Sequence, residues 1–182
     1  MKFVLIFSFL FVSSIFLAQK EYFPIETDKE WTYAYSEEMQ TLMGEVEINC
    51  RISAIKTRLN KNEYFVMIFS YSDEAFGQPY EVYYRYIDGK GWYSYNVDLE
   101  KDELVFPEKA EVGTKWSNDS FNMEVTSLNE RIKTPGMNYP SCVVVKTTEK
   151  GAKNAIPTYT YYVEGIGSVA VITNERVVNY LK

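Results

Sequence analysis

The chain has no histidine in its 182 residues. This removes the commonest general base, the usual activator of serine and cysteine nucleophiles, and the commonest transition-metal ligand. Serine triads, Cys–His pairs and ordinary catalytic zinc sites are therefore excluded. Cysteine is almost as scarce, since only Cys50 and Cys142 occur, and two cysteines can form an intrachain bond only with each other. Basic clusters are missing too. The 19 Lys and Arg stand singly against 25 Asp and Glu, so neither nucleic-acid phosphates nor an anionic membrane surface is an expected partner.

Long apolar runs are absent except at the start. Lys2 precedes a stretch rich in apolar residues over 3–12, then Ser13, Ser14 and a second apolar patch ending at Ala18. A charged residue followed by a short apolar segment reads as a cleavable export signal, residues 1–18. A spanning helix needs roughly 20 apolar residues, and here serines and then Gln19, Lys20 and Glu21 intervene. Cleavage is expected after Ala18, although Phe16 is bulkier than the small residue preferred three places before the cut. No cysteine follows the segment to take a lipid. The expected product is exported to the periplasm or beyond, without a stable membrane anchor. Loss of Lys2 moves its net charge from −6 to −7.

What is abundant is aromatic and alternating. The chain carries 16 Tyr, 11 Phe and 3 Trp. Trp31, Tyr33 and Tyr35 open a period-two pattern, and Val46, Ile48, Cys50 and Ile52 share one face opposite polar neighbours, as in half-buried antiparallel strands. Residues 64–71 are apolar nearly throughout and predict a central strand. Further strands are expected at 104–106, 120–128, 141–148, 158–164, 168–173 and 176–181, separated by turn signals such as Pro107, Pro135-Gly136 and Gly165. Ser36 could cap a short helix through Met39, Leu42 and Met43, but a loop or frayed strand is the preferred reading. The fold class expected for residues 19–182 is all-β: one domain built as a curved antiparallel meander, half-barrel or sandwich.

The clearest unit is a hairpin over 80–97 turning at Asp88-Gly89-Lys90-Gly91, where glycines supply the positive φ of tight turns. Two- and four-residue loops both place Val82, Tyr84 and Tyr86 on one face with Tyr93, Tyr95 and Val97, leaving Tyr83 and Trp92 on the other. Tyr84, Tyr86, Tyr93, Tyr95 and Trp92 are the candidate ligand-binding residues, since aromatic faces with hydroxyl handles suit sugars or acyl chains. The competing reading is core packing of the same rings.

Other motifs carry little chemistry. Ser53-Ala54-Ile55-Lys56 matches S-x-x-K, but residues three apart on a strand face opposite ways, whereas the motif works at a helix start. Paired acids such as Asp102-Glu103 fall beside turns, and glycoside hydrolysis needs two carboxylates facing across about 5–10 Å. Glu164-Gly165-Ile166-Gly167-Ser168 lacks a third glycine and a following helix, so it reads as a bend between strands rather than a phosphate cradle. No catalytic residue, metal or cofactor is expected. Cys50 and Cys142 lie in apolar strand-like runs suited to buried thiols, while export permits a disulfide between them; both readings stay open.

Four segments together carry a resemblance: Tyr22-Phe23-Pro24-Ile25 leading to Trp31-Thr32-Tyr33, then Val112-Gly113-Thr114-Lys115-Trp116, then Thr134-Pro135-Gly136 through Cys142-Val143-Val144-Val145, and 161–169 with Gly165-Ile166-Gly167. In them the chain resembles small exported β-rich proteins of unknown function from Gram-negative bacteria, and through these the half-barrels of periplasmic lipoprotein carriers. The resemblance implies a curved sheet around an apolar concavity and no catalytic residues; it departs from the carriers in showing no clear helix to plug the barrel. Two functions follow as expectations: a noncatalytic binding or carrier module for an apolar or glycan ligand, or a structural module docking an envelope protein. Intact-mass and N-terminal peptide measurements on the exported protein are expected to place its first residue at Gln19.

Overall fold

The computed structural model describes residues 22–182. The expected leader, residues 1–18, lies outside the described residues. The alternating segments form thirteen antiparallel strands: β1 (Glu30–Tyr35), β2 (Glu47–Ile52), β3 (Thr57–Leu59), β4 (Asn62–Tyr71), β5 (Tyr80–Ile87), β6 (Gly91–Asn96), β7 (Lys101–Pro107), β8 (Lys115–Ser117), β9 (Phe121–Lys133), β10 (Asn138–Glu149), β11 (Thr158–Val163), β12 (Gly167–Thr173) and β13 (Arg176–Leu181). They make one sheet in the order β7-β6-β5-β4-β2-β1-β13-β12-β11-β10-β9-β8, with β3 paired to β4. The sheet curls into a nearly closed barrel, as the all-β reading expected.

Two meanders meet where β1 pairs with β13, Tyr33 opposite Leu181 and Tyr35 opposite Asn179. At the opposite seam, between β7 and β8, side chains replace the backbone ladder. The Lys101 ammonium donates to Asp119 at 2.6 Å and lies 3.6 Å from Glu103. Behind that exposed clasp, Phe106 and Trp116 meet edge to face with centroids 6.3 Å apart. The apolar contact matters more for holding the seam, because an exposed ion pair contributes at most about 1 kcal/mol.

The curl divides the buried side chains between two faces. Inside the barrel, Ile52, Met67, Trp92, Phe106, Val125, Val143 and Val145 form the main core, joined by Ile25 from the segment preceding β1. On the outer face, Ile132, Tyr139, Cys142, Val169 and Ala170 form a second cluster with Tyr161 and Tyr180. The long β9–β10 hairpin makes that cluster, because register shifts around Cys142 and Val144 bend it over its own sheet, as bulges do. Its tip is closed by Thr134, whose hydroxyl donates to the Met137 carbonyl at 2.9 Å and accepts the Met137 N–H at 3.0 Å.

Two expectations need correction. Residues 37–43 are a helix, α1 (Glu37–Met43), rather than a loop or frayed strand. Ser36 Oγ accepts the Met39 N–H, and Glu37 and Glu38 occupy the first turn, where acidic groups favour the helix dipole. The β5–β6 hairpin pairs Ile87 with Gly91, Tyr86 with Trp92, Arg85 with Tyr93 and Tyr84 with Ser94. Its loop therefore has three residues, and odd length inverts the expected facing of β6. Trp92 joins Tyr84 and Tyr86 inside, whereas Tyr93 and Tyr95 move to the outer face. Of the two readings left open for the cysteines, the structure has the buried thiols: Cys50 and Cys142 are both buried and unbonded. Cys50 faces the barrel interior on β2 and Cys142 belongs to the outer cluster on β10, so the sheet itself separates them.

Gly91 sets the hairpin register. Its φ is +120°, and a Cβ there would stand 2.2 Å from the Phe106 carbonyl oxygen and 2.6 Å from the Glu108 nitrogen. Gly91→Ala is expected to destabilise the protein by about 3 kcal/mol or more, from overpacking plus a strained φ. Gly89→Asn, at a φ of +73° with its nearest neighbour 4.0 Å away, is expected to cost under about 1 kcal/mol. Urea unfolding of both variants checks the contrast.

Candidate functional site

The N-terminal segment shapes a cleft at the mouth of the barrel. Pro24 sits in a three-residue turn closed by the Ile25 N–H donating to the Phe23 carbonyl at 2.8 Å. The turn sends Ile25 down into the core and holds Phe23 against the inner face of the β5–β6 hairpin. Phe23 meets Tyr84 edge-on at 5.3 Å and Trp92 at a tilt, 5.8 Å away. Gly167, with φ +99°, lets β12 approach this segment, since a Cβ there would lie 3.3 Å from Pro24 Cδ.

Beside the segment the barrel is not filled. A partly open cleft of about 260 Å³ remains, lined by Phe23, Pro24 and Ile25; by Trp31, Tyr33, Ile48 and Cys50 of β1 and β2; by Met67, Phe69, Tyr80 and Tyr84 of β4 and β5; and by Tyr162, Gly167, Ser168, Val171 and Asn179 of β11 to β13. These positions share a face because the ladder aligns them: Trp31 opposes Cys50, Tyr33 opposes Ile48, and Cys50 opposes Phe69. Phe69 and Tyr80 stack with planes 6° apart and centroids 5.1 Å apart, forming one wall.

Two polar groups of β1 are tied to the backbone. Trp31 Nε1 donates to the Ile166 carbonyl at 2.8 Å and the Tyr33 hydroxyl to the Ser168 carbonyl at 3.0 Å. Both carbonyls lie at the glycine bend between β11 and β12, where Lys29 Nζ also donates to the Gly165 carbonyl at 2.9 Å. The bend thus braces one side of the cleft. Among the described residues, no Asp, Glu, Lys or Arg lines it.

Burial governs the ionisation of the lining groups. Desolvation pushes the Cys50 thiol up to about 12 and the Tyr162 phenol, despite its bond to Thr160, up to about 12. It raises Tyr84 and Tyr33 further still. At neutral pH every one of these groups is protonated, so Cys50 is a poor nucleophile and the phenols are hydrogen-bond donors.

Of the candidate residues read from the sequence, Tyr84 alone lines the cleft. Trp92, 5% exposed, and Tyr86 meet edge to face behind it with centroids 5.4 Å apart, and Tyr86 bonds to Glu108. Tyr95 packs outside on Tyr64 and accepts a hydrogen bond from Asn60 at 2.7 Å; Tyr93, opposite Arg85, shares that outer face. The sequence reading missed Phe23, Phe69, Tyr80 and Tyr162 as lining residues, treated Trp31 and Tyr33 only as strand positions, and weighed Cys50 as a buried thiol or a disulfide partner. Their alternation was visible, but their convergence depends on the curl. Ser53 Oγ accepts the Ile55 N–H while Lys56 Nζ sits 4.3 Å over the Phe65 ring, so these two side chains are occupied separately.

The raised thiols and phenols bind protons more tightly in the folded chain than the ordinary values of 9.0 for Cys and 10.0 for Tyr. Their stabilising effect is complete below those ordinary values and is lost as pH rises through the folded ones. Unfolding midpoints in urea are expected to change little between pH 6 and 8, where no histidine titrates, and to fall between pH 9 and 12. The slope is about 1.4 kcal/mol per pH unit for each proton retained only by the folded state. Compared with family models, with curated proteins and with solved structures, the chain has no significant match.

Proposed function

We propose that the protein is an exported, noncatalytic binding or carrier module of the bacterial envelope whose apolar ligand occupies the cleft at the barrel mouth. The observation that carries this reading is the unfilled, aromatic-walled space of about 260 Å³ inside an otherwise packed barrel. Protein interiors close-pack, and a gap open to solvent and lined by Phe69, Val171 and Trp31 leaves apolar surface wet that a ligand would cover. The volume lies just below the roughly 300–1,000 Å³ of common small-molecule sites, which suits a single ring system or a short chain. Of the two ligand classes expected from the sequence, an apolar molecule fits better than a glycan. A sugar needs many polar partners, whereas this lining is mostly aromatic and aliphatic and its Trp31 and Tyr33 donors already bond the backbone.

Export rests on the leader-like residues 1–18, and a carrier role agrees with the resemblance to envelope half-barrels. The noncatalytic reading is supported by the chemistry of the lining: protonated phenols and a protonated thiol offer no base at neutral pH.

Purified mature protein incubated with a bacterial envelope extract, then washed and analysed by native mass spectrometry, is expected to retain one small apolar molecule per chain. Val171→Trp, which places an indole in the cleft, is expected to reduce retention at least tenfold with the barrel's circular dichroism unchanged. Recovery of empty wild-type protein, or equal retention by the folded variant, would sink the proposal.

A further inference from the structure

The hydroxyls of the cleft fall into two groups. Tyr33 donates to the Ser168 carbonyl, and Tyr162 bonds to Thr160. The hydroxyls of Tyr80, Tyr84 and Ser168 meet no hydrogen-bonding partner among the described residues; Tyr80 is 47% exposed, which leaves Tyr84 as the phenol held inside the cleft. Its ring is packed into the barrel, edge-on to Phe23, and the side chain borders the cleft. Tyr84 is partly buried and its hydroxyl is not among the fully buried unpaired atoms, so solvent reaches it; a ligand that displaces this solvent without offering an oxygen or nitrogen leaves the group unpaired, which is costly.

The surroundings restrict what that partner can be. No charged side chain lines the cleft among the described residues. A carboxylate or ammonium entering it would shed hydration without meeting an opposite charge, and that penalty exceeds what one hydrogen bond returns. Because burial keeps the Tyr84 phenol protonated, it presents a donor. The matching group is a neutral acceptor such as a ketone, ester or alcohol oxygen. Size adds a third restriction. A space of about 260 Å³ lies below the roughly 300–1,000 Å³ of common small-molecule sites, so the ligand is compact.

We propose that the cleft selects compact, uncharged apolar molecules carrying one hydrogen-bond acceptor, and that the Tyr84 hydroxyl is the group that recognises the acceptor. This rests on the reading of the cleft as an apolar ligand site and adds its selectivity. Tyr84 determines specificity through a single donated bond, while Phe23, Phe69 and Tyr80 supply contact area.

The test uses four probes with the same eight-carbon skeleton, 2-octanone, 1-octanol, octanoate and octylammonium, bound to the mature protein at pH 7 and followed by equilibrium dialysis. The ketone and alcohol are expected to bind at least tenfold more tightly than either ion. Tyr84→Phe is expected to weaken the ketone about three- to tenfold, the usual span for one neutral hydrogen bond. The same change should leave n-octane retention unaltered, which separates a lost bond from a damaged cleft. Tyr93→Phe, on the outer face, is expected to change none of these values, and near-ultraviolet circular dichroism checks that both variants are folded. Octanoate or octylammonium binding as tightly as the alcohol overturns the selectivity while leaving the apolar site standing. Unchanged ketone binding by folded Tyr84→Phe overturns the role of Tyr84. Failure of all four probes and of n-octane to bind overturns the apolar site together with its selectivity.

Discussion

The ladder between β1 and β13 is the constraint on which the rest depends. Without it the chain is two meanders, each with one apolar face and nothing to bury it against. Pairing Tyr33 with Leu181 and Tyr35 with Asn179 joins them near the two ends of the described chain, and the twist natural to antiparallel strands then rolls the joined sheet around its own apolar face. Every long-range feature inherits from this: the main core, the side-chain seam between β7 and β8, and the cleft walls drawn from both meanders. Such a contact spans nearly the whole sequence, so its loop-closure entropy is among the largest in the fold. The hydrophobic core has to offset it.

Barrel closure and cleft formation pull against each other. A sheet of this breadth encloses more space than its inward side chains fill, and the chain inserts Phe23, Pro24 and Ile25 to occupy part of it. Ile25 completes the core at 5% exposure, whereas Phe23 stops at the mouth against Tyr84 and Trp92. A helix is one way to fill such an interior. Here an extended segment enters instead, and α1 lies outside with Leu42 77% exposed. A narrow extended segment leaves a gap beside it, and the gap becomes the cleft.

How much could be read beforehand varies with the range of the interaction concerned. Strands β1, β2, β4 and the C-terminal set were legible because alternation is local. The face of β6 was not, because the loop before it is one residue different from either length considered, and Gly91 closes it as the first strand residue, where β7 leaves no room for a Cβ. That single residue moved Trp92 inward and Tyr93 and Tyr95 outward. The helix after Ser36 was legible in its cap and acidic first turn, yet seven residues with few apolar positions gave no periodicity to weigh against a loop. The short strands β3 and β8 have three residues each, too few to show any pattern.

By itself the sequence determined the fold class: period-two alternation demands antiparallel strands, and glycine and proline punctuation separates them. These are properties of composition and of neighbours within a few residues, which hold however the chain folds. Only the tertiary structure decided which aromatic rings face inward, that Cys50 and Cys142 stand on opposite sides of the sheet, and that Tyr84 shares an uncharged cleft with Trp31 and Tyr162. Those facts depend on strand register and on closure between distant segments, and register changes with a single residue in a turn while closure leaves no mark on any one stretch of chain.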